Sequence, residues 1–261
     1  MKQHKFLIVI PYYNRPEMFR NGLTSIREMS YDNWHLHVVD DGSDIENSVE
    51  PIMKDVLGDK FYTHCSVVNT GHSIEDKKAQ GGSKHVAFMN EAIRSSDADY
   101  AVMISDDDGL HEDYLENLNR FYNDNPKCFY SFCHIIPYDP QEEKPDNHTF
   151  MRRVSEQRAG NLRQFDTNGF SQTHVNHMQD VPPVDVVDAT QVSWSIPRAV
   201  EHNAFMDEVE INADRTLFGK LYRNFGLCKW NKCIGPYKGF HNDQLAQRAH
   251  RLRDPYTVNK K

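Results

Sequence analysis

The sequence lacks any long apolar run, and no stretch approaches the roughly 20 apolar residues that cross a bilayer. Residues 1–5 lead into only five apolar residues, fewer than the core of a signal peptide contains. The sequence also lacks an excess of positive charge, since 30 Lys and Arg face 38 Asp and Glu, for a formal charge of −8. We therefore expect a soluble, cytoplasmic protein with no general attraction to nucleic acid or to anionic membranes.

Cysteine is also scarce, with five residues in 261. Four of them form two pairs with four residues between the members, Cys128 with Cys133 and Cys228 with Cys233, whereas most zinc sites use a tighter spacing. A free cysteine behaves as a small hydrophobic residue. We expect the five to be reduced and mostly buried thiols.

Apolar, strand-like runs alternate with helical patterns along most of the chain, which is long enough to fill one α/β domain. Such alternation predicts right-handed crossovers and a Rossmann-like, mainly parallel sheet flanked by helices. The predicted strands are residues 6–10, 35–39, 61–68, 100–105 and 128–136, and the predicted helices are residues 16–29, 45–57, 83–95, 112–123, 214–225 and 243–252.

An acidic cluster of three consecutive residues, Asp106, Asp107 and Asp108, follows the fourth predicted strand. Adjacent carboxylates repel one another, so a bound cation would keep them ionised, and hard divalent metals prefer oxygen ligands. A purely structural alternative is an acidic turn that caps the helix beginning near Glu112.

Polar residues also follow the first two predicted strands. The apolar run from residue 6 stops at Pro11 and leads to Asn14, and the second strand ends at Asp40 and Asp41. In an open α/β sheet, ligands bind outside the carboxyl ends of the strands. We therefore expect Asn14, the two acids and the acidic cluster to converge on one site.

Together these segments resemble the nucleotide-sugar-dependent glycosyltransferases of family 2, which have the GT-A fold. The resemblance covers residues 5–125 in order and in spacing, and it continues more faintly beyond them. It implies an α/β protein of GT-A type. The matching pieces are residues 10–15 (IPYYNR), 38–43 (VVDDGS), 81–83 (GGS) with Asn90, the acidic cluster, and then residues 192–198 (VSWSIPR), 205–208 (FMDE) and 213–214 (AD).

The resemblance also implies the domain organisation: a single GT-A catalytic domain over residues 1–240, followed by a C-terminal helix or tail over residues 241–261. Residues 1–125 would form the nucleotide-sugar-binding half and residues 184–240 the acceptor-side half. Residues 137–183 interrupt the alternation of strands and helices and are rich in Gln, Asn, Asp, Arg and His. A polar stretch of this length is typical of a functional loop, a lid or a partly disordered segment, and we expect an acceptor-side insert or lid.

On the donor side, the resemblance assigns Asp41 to the base of the nucleotide, and a carboxylate is able to accept the imide N–H of a pyrimidine. It places Pro11, Tyr13 and Asn14 in the same nucleotide-sugar pocket. The structural alternative is an Asx-type turn in which Gly42 supplies a positive φ.

For the acidic cluster, the resemblance implies a Mn²⁺ or Mg²⁺ site with two possible alignments. A literal reading pairs Asp106 with Asp108, whereas alignment of the following helix puts Ser105 in the first position and makes Asp107 the leading metal ligand. We assign Asp106 and Asp107 to the donor and Asp107 and Asp108 to the metal. His241 resembles a late histidine that serves some GT-A enzymes as a further metal ligand, and its alternative is an ordinary surface or core histidine.

The general base implied by the resemblance is Asp214, which opens a helix where the family has a Glu-Asp pair. Here the first member of that pair is Ala213. The nearby Asp207 and Glu208 therefore remain alternatives for the base. Asp214 would otherwise be an acid favoured at a helix start by the helix dipole.

The resemblance implies metal-dependent, inverting transfer of one sugar from a nucleoside-diphosphate sugar to a hydroxyl of a glycan or glycoconjugate. A UDP-sugar is the favoured donor. The Gln-x-x-Arg-Trp motif of processive members is missing, which favours one transfer per encounter.

Two other functions are weighed against this one. A nucleotidyltransferase acting on sugar phosphates would carry a Gly-rich loop with a lysine after strand one, where this chain has residues 11–14 (PYYN). A non-catalytic nucleotide-sugar-binding module would be expected to have lost an acid from the cluster, which is intact. Arginines in the insert and basic residues after residue 228 leave open an anionic acceptor such as glycan phosphate or modified DNA, although nucleic acid is the less favoured partner.

Overall fold

The computed structural model of the chain describes residues 1–73, 85–138, 180, 188–208 and 213–239. Short 3-10 turns lie at Ile45–Asn47 and Ala189–Gln191. The strands and helices in the described ranges are, in chain order, β1 (Phe6–Tyr12), α1 (Pro16–Arg27), β2 (Trp34–Asp40), α2 (Val49–Leu57), α3 (Asp59–His64), β3 (Cys65–Asn69), α4 (His85–Ser95), β4 (Tyr100–Met103), β5 (Gly109–Leu110), α5 (Tyr114–Asp124), β6 (Tyr130–Tyr138), β7 (Val192–Ser195), α6 (Ile196–Glu201), α7 (Ala213–Phe225) and β8 (Lys229–Gly239).

These strands form one sheet in the order β3-β2-β1-β4-β7-β6-β8-β5. The first four strands in this order are parallel to one another. Strand β7 runs antiparallel to both β4 and β6, β6 is parallel to β8, and β5 is antiparallel to β8. The predicted α/β architecture with a mainly parallel sheet is confirmed. The carboxyl ends of β1 to β4 all lie at the same edge, which is where the predicted polar loops begin.

The central strand β1 is apolar throughout because both of its faces are covered. Ile8 and Ile10 belong to a core that includes Leu23 of α1, whereas Leu7 and Val9 belong to the core on the other face of the sheet. A strand buried on both sides reads as a continuous hydrophobic run, as this one does. Each such side chain contributes about 1.5–3 kcal/mol by leaving water.

The predicted strand over residues 61–68 is wrong in its first half. Gly58, with φ of 55°, ends α2, and helix α3 then continues to His64 before β3 begins. Phe61 and Cys65, four residues apart, both pack against the core, whereas Tyr62 is 73% exposed. Within the helix, Phe61 and His64 are partly buried whereas Thr63 is exposed, which fits helical spacing and not the alternation of a strand. This pattern outweighs the strand preference of the aromatic residues here.

Two hydrogen-bonded groups attach the outer strands and helices to the parallel half. Asn90 of α4 donates to the carbonyl of Met206 at 2.9 Å and accepts from its N–H at 3.2 Å, although 116 residues separate them. The buried hydroxyl of Tyr122 in α5 lies 2.7 Å from Ser193 Oγ and 3.0 Å from Ser131 Oγ. Buried polar groups that satisfy one another in this way fix one arrangement of their elements.

The described part of the chain also bears on two expectations from composition. The five cysteines, all in the described ranges, form no disulfide; Cys133, Cys228 and Cys233 are buried and Cys65 and Cys128 are partly so. No helix in those ranges is long and apolar enough to cross a membrane.

Candidate active site

The loop after β1 lies against the acidic cluster that follows β4. Tyr13 donates its backbone N–H to Asp106 Oδ2 at 3.1 Å. The Arg15 guanidinium donates to Asp106 Oδ1 at 2.9 Å and lies 3.4 Å from Asp107 Oδ2. Charge-assisted hydrogen bonds are stronger than neutral ones. Arg15 therefore holds the first two acids of the cluster beside the end of β1.

Asn14 joins the loops after β1 and β2. It adopts a left-handed backbone conformation, with φ of 51°, a region that asparagine tolerates better than most residues. Its N–H donates to Ser43 Oγ at 3.1 Å, and its Oδ1 accepts from the backbone N–H of Asp44 at 2.9 Å. Asn14 is thus fixed in place through both its backbone and its side chain.

The two acids at the end of β2 have different surroundings. Asp40 is buried, and its carboxylate accepts from the Ser43 N–H at 2.9 Å and from Asn69 Nδ2 at 3.0 Å. One bond comes from the loop that follows Asp40 and the other from the last residue of the neighbouring strand β3, so Asp40 stabilises the end of the sheet. The side chain of Asp41 is partly exposed, at 15%.

The carboxylate of Asp41 is oriented by three side chains. Thr70 donates its hydroxyl to Oδ1 at 3.2 Å, His72 Nδ1 lies 3.4 Å from the same oxygen, and His85 Nδ1 lies 3.6 Å from Oδ2. The next residue, Gly42, has φ of 71°, and a Cβ on it would lie 2.0 Å from the carbonyl oxygen of His72. Only glycine fits this turn, which holds the Asp41 loop against the loop after β3.

The acidic cluster is enclosed by protein. The side chains of Asp106, Asp107 and Asp108 are 8%, 4% and 0% exposed. Burial raises the pKa of Asp106, with Arg15 opposing the rise and Asp107 adding to it. Burial raises the pKa of Asp108 to about 7, with Lys238 opposing the rise and Asp107 adding to it. An additional cation at the cluster would therefore stabilise the ionised carboxylates.

On the far side of the cluster, Asp108 is paired with a lysine from the last described strand. Lys238 Nζ lies 3.2 Å from Asp108 Oδ2 and 3.4 Å from Asp188 Oδ1. Burial alone would lower the pKa of Lys238, but the negative charges of Asp108, Asp188 and Asp107 raise it overall. Lys238 is therefore a permanent cation between the acidic cluster and the segment that leads into β7.

Asp214, the predicted base, lies in the first turn of α7 near this lysine. Burial raises its pKa and the charge of Asp188 adds to the rise, whereas the backbone N–H of Arg215 and the charge of Lys238 oppose it. Asp214 is thus within electrostatic reach of the group that contacts the acidic cluster. Of the alternatives, Asp207 is partly buried like Asp214, whereas Glu208 is exposed and its carboxylate accepts from Asn90 Nδ2 at 3.3 Å.

The structure brings most of the predicted site residues to one edge of the sheet. Pro11 lies in β1 opposite Val39 of β2 and is half-buried, as is Tyr13, whose phenol has its pKa raised by burial and by Asp44. His241, residues 81–83, residues 139–179 of the insert and the predicted C-terminal helix lie outside the described residues.

Sequence reasoning missed several contributors, namely Arg15, His72, His85, Asp188 and Lys238. Arg15 stands inside the first matching motif, so its charge beside three acids was a usable signal. His85 lies inside the matching piece that runs from residues 81–83 to Asn90, whereas His72, Asp188 and Lys238 come from segments without a matching motif. Their roles depend on strand order, which spacing along the chain does not encode.

The donor set of the acidic cluster fits a hard divalent metal. Its oxygens are adjacent carboxylates, and burial leaves Asp106 and Asp108 short of positive charge. No group of three or more His, Cys, Asp or Glu suited to a metal ion occurs among the described residues. Mg²⁺ in nucleotide-dependent enzymes is held by one or two carboxylates together with substrate phosphates, and that requirement is one the cluster meets.

Comparison with known proteins identifies the family. The family model described as Glycosyl transferase family 2 matches residues 7–180, which is two thirds of the chain. The chain belongs to this family, and the predicted resemblance is confirmed.

Relatives by sequence include the following two proteins. "Protein CgeD" of Bacillus subtilis (strain 168) is 23% identical over 124 residues, covering 48% of this chain and 28% of CgeD. "Uncharacterized glycosyltransferase R139" of Acanthamoeba polyphaga mimivirus is 26% identical, covering 51% of this chain and 60% of the relative. The chain therefore spans less than two thirds of the length of either protein.

Solved structures share the fold. TarS 1-349 of S. aureus in complex with UDP-GlcNAc has a TM-score of 0.62 at 14% identity, covering 91% of this chain and 59% of that one. The mannosyltransferase PcManGT from Pyrobaculum calidifontis, in complex with GDP-Man and Mn²⁺, has a TM-score of 0.53 at 15% identity, covering 97% and 65%. At such identities the likeness establishes the GT-A fold alone, in agreement with the sequence-based expectation.

Proposed function

We propose that this protein transfers one sugar from a nucleoside-diphosphate sugar to a hydroxyl of an acceptor, with inversion of the anomeric centre. The donor that we favour is a UDP-sugar. The observation that carries the proposal is a series of contacts along one edge of the sheet. The Asp41 loop is bonded through Ser43 to Asn14, the adjacent Arg15 contacts the acidic cluster, and Lys238 on the far side of the cluster is within electrostatic reach of Asp214. The binding of UDP-GlcNAc by TarS and of GDP-Man with Mn²⁺ by PcManGT supports this class of donor.

Asp41 would recognise the nucleotide base. Its carboxylate is already oriented by Thr70, His72 and His85, so little side-chain freedom is lost when a ligand binds. A carboxylate accepts hydrogen bonds only, which suits the imide N–H of uracil. Pro11, Tyr13 and Asn14 would form the adjoining wall of the pocket.

The acidic cluster would hold the metal and the diphosphate. Asp107 and either neighbouring acid would ligate Mn²⁺ or Mg²⁺, and the bound metal supplies positive charge to the departing diphosphate. Arg15 keeps Asp106 and Asp107 in place from the β1 side. His241 is retained as a proposed further ligand.

Asp214 would act as the general base. In an inverting transfer the acceptor oxygen forms a bond to the anomeric carbon as the bond to the leaving nucleoside diphosphate breaks, and the base takes the hydroxyl proton. A carboxylate whose pKa is raised by burial is a stronger base than one in water. The acceptor we propose is a glycan or glycoconjugate.

A donor screen tests the proposal. Purified protein would be mixed with UDP-, GDP-, dTDP- and CMP-sugars, each with and without Mn²⁺, and both thermal stability and release of nucleotide would be measured. Because a ligand of the native state raises stability by mass action, we expect the largest shift with one UDP-sugar and Mn²⁺, accompanied by slow hydrolysis. Asp41→Ala should abolish the shift, whereas the exposed control Asp55→Ala should retain it.

The outcomes also separate the alternative functions. A stability shift without any release of nucleotide or transfer would favour a non-catalytic binding module. Release of pyrophosphate from a nucleoside triphosphate and a sugar phosphate would identify a nucleotidyltransferase. No shift with any nucleotide sugar would contradict the proposal.

A further inference from the structure

Lys238 combines deep enclosure with a position between acids from separate parts of the chain. It lies on β8, its side chain is 12% exposed, and it contacts Asp108 of the acidic cluster and Asp188 of the segment before β7. We propose that Lys238 is a positioning residue that serves as the internal counter-ion of the acidic cluster and thereby sets how tightly the cluster binds a divalent metal. This inference rests on the proposed function, because it concerns the metal site assigned there.

The pairing of Lys238 with Asp108 follows from the sheet. Strands β5 and β8 are antiparallel, with Gly109 opposite Tyr237 and Leu110 opposite Pro236. Continuing that register by one residue places Asp108 opposite Lys238, and directly opposite residues of opposite charge attract each other. The ion pair is therefore built into the register of the two strands and does not depend on a mobile surface side chain.

Both partners of the lysine are held in place by other bonds. Asp108 Oδ2 accepts from the Ser105 N–H at 3.0 Å, and a Cβ on Gly22 of α1 would lie 2.4 Å from the Asp108 carbonyl oxygen. Asp188 caps the 3-10 turn Ala189–Gln191 by accepting from the Thr190 N–H at 3.0 Å. Lys238 thus lies between two carboxylates whose positions are set independently of it.

A cation in this place has a defined effect on a second cation. The ammonium stabilises the same carboxylate oxygens that a divalent metal would use, and it also repels the metal directly. Removing its charge while keeping its bulk leaves more uncompensated negative charge at the cluster. The expected consequence is tighter binding of the metal. If the role of the lysine were purely structural, its replacement would weaken metal binding or abolish it.

The test is to titrate the whole protein with Mn²⁺ in the absence of donor. The electron paramagnetic resonance signal of the free ion measures how much Mn²⁺ remains unbound. Lys238→Met should bind Mn²⁺ more tightly by roughly tenfold or more, as expected for a unit charge a few ångströms away in partly buried surroundings. Lys238→Arg, which keeps the charge, should resemble the wild type. Lys229→Met removes an equal charge from the same strand at its exposed ion pair with Asp180 and should also resemble the wild type.

Contradictory results are distinct from failure of the proposed function. If the wild type binds Mn²⁺ and Lys238→Met binds it no more tightly, the inference is wrong while the metal-dependent function stands. If the wild type binds Mn²⁺ only when UDP is present, the same variants are compared with UDP. If it binds no Mn²⁺ at millimolar concentration even with UDP, both the inference and the metal-dependent function are wrong. Should Lys238→Met and Lys238→Gln fail to fold alone, refolding in Mn²⁺ should recover them, and failure of Mn²⁺ to do so would overturn the inference.

Discussion

The two halves of the sheet hold their acids in different ways. In the parallel half, β3-β2-β1-β4, Asp40, Asp41 and Asp106 accept hydrogen bonds from neighbouring loops, and the nearby cation Arg15 is 24% exposed. In the mixed half, β7-β6-β8-β5, one largely enclosed lysine serves both Asp108 and Asp188. Several separate hydrogen bonds from loops permit small adjustments around a ligand, whereas a single buried ion pair is strongly affected by the loss of either partner. We therefore expect the parallel half to govern nucleotide binding and the mixed half to govern charge balance and chemistry.

The largest expected effect is at the boundary between the halves. Asp107→Asn should lower turnover by about 10²-fold or more, since the metal it is proposed to hold neutralises charge that develops on the diphosphate. Steady-state transfer in saturating Mn²⁺ measures this, and Asp124→Asn on the exposed end of α5 is the control. Full activity of Asp107→Asn in the presence of a chelator would contradict the metal assignment.

A comparable but more selective effect is expected in the mixed half. Asp214→Asn should lower turnover by at least about 10²-fold, the lower end of the contribution of a general base. Spontaneous hydrolysis of the donor should change less than transfer to the acceptor. Transfer at the wild-type rate would direct the search for the base to Asp207 or Glu208.

Substitution of two glycines, one in α1 and one in α7, compares how tightly the two helices are packed. Gly22 of α1 leaves no room for a Cβ beside the Asp108 carbonyl, whereas the nearest atom to a Cβ on Gly219 of α7 is an Arg223 side-chain nitrogen 3.8 Å away. Gly22→Ala should destabilise the protein by about 1–3 kcal/mol through overpacking. Gly219→Ala should stabilise it by about 0.5–1 kcal/mol, because alanine is the better helix former. The melting temperatures of the two variants measure these effects. Equal shifts in melting temperature would contradict the packing described for α1.

A further expected effect concerns acid stability at the outer edge of the parallel half. Burial lowers the pKa of His37 to about 4, and the ring shares the hydroxyl of Ser66 with His35. The unfolded state therefore takes up the proton first, so this contribution to stability is complete above about pH 6.5 and declines towards pH 4, by at most about 1.4 kcal/mol per pH unit. His37→Gln should unfold with a weaker pH dependence than the wild type over that interval. An identical pH dependence would show that His37 is not protonated differently in the two states.

The parallel half could be predicted from sequence because each of its functional loops follows an apolar strand within a few residues. Asn14, Asp41 and the acidic cluster all lie where the strand ends placed them. The mixed half was less accessible. Asp214 was predicted from its place at a helix start, but Asp188 and Lys238 come together beside the acidic cluster only through the antiparallel placement of β7 and the register of β5 with β8. The error at residues 61–64 has a local cause, since Phe61 and Tyr62, whose residue types favour strands, lie in the short helix that follows Gly58.

The central claim is that nucleotide recognition and proton abstraction belong to different halves of one site. Calorimetry of UDP with Mn²⁺ on the wild type, Asp41→Ala and Asp214→Asn tests it most directly. The account predicts that Asp41→Ala weakens UDP binding by roughly tenfold or more, the usual effect of losing a hydrogen bond to a charged group, while Asp214→Asn binds UDP like the wild type. Equal loss of affinity in both variants would contradict it, because Asp214 would then belong to the nucleotide pocket.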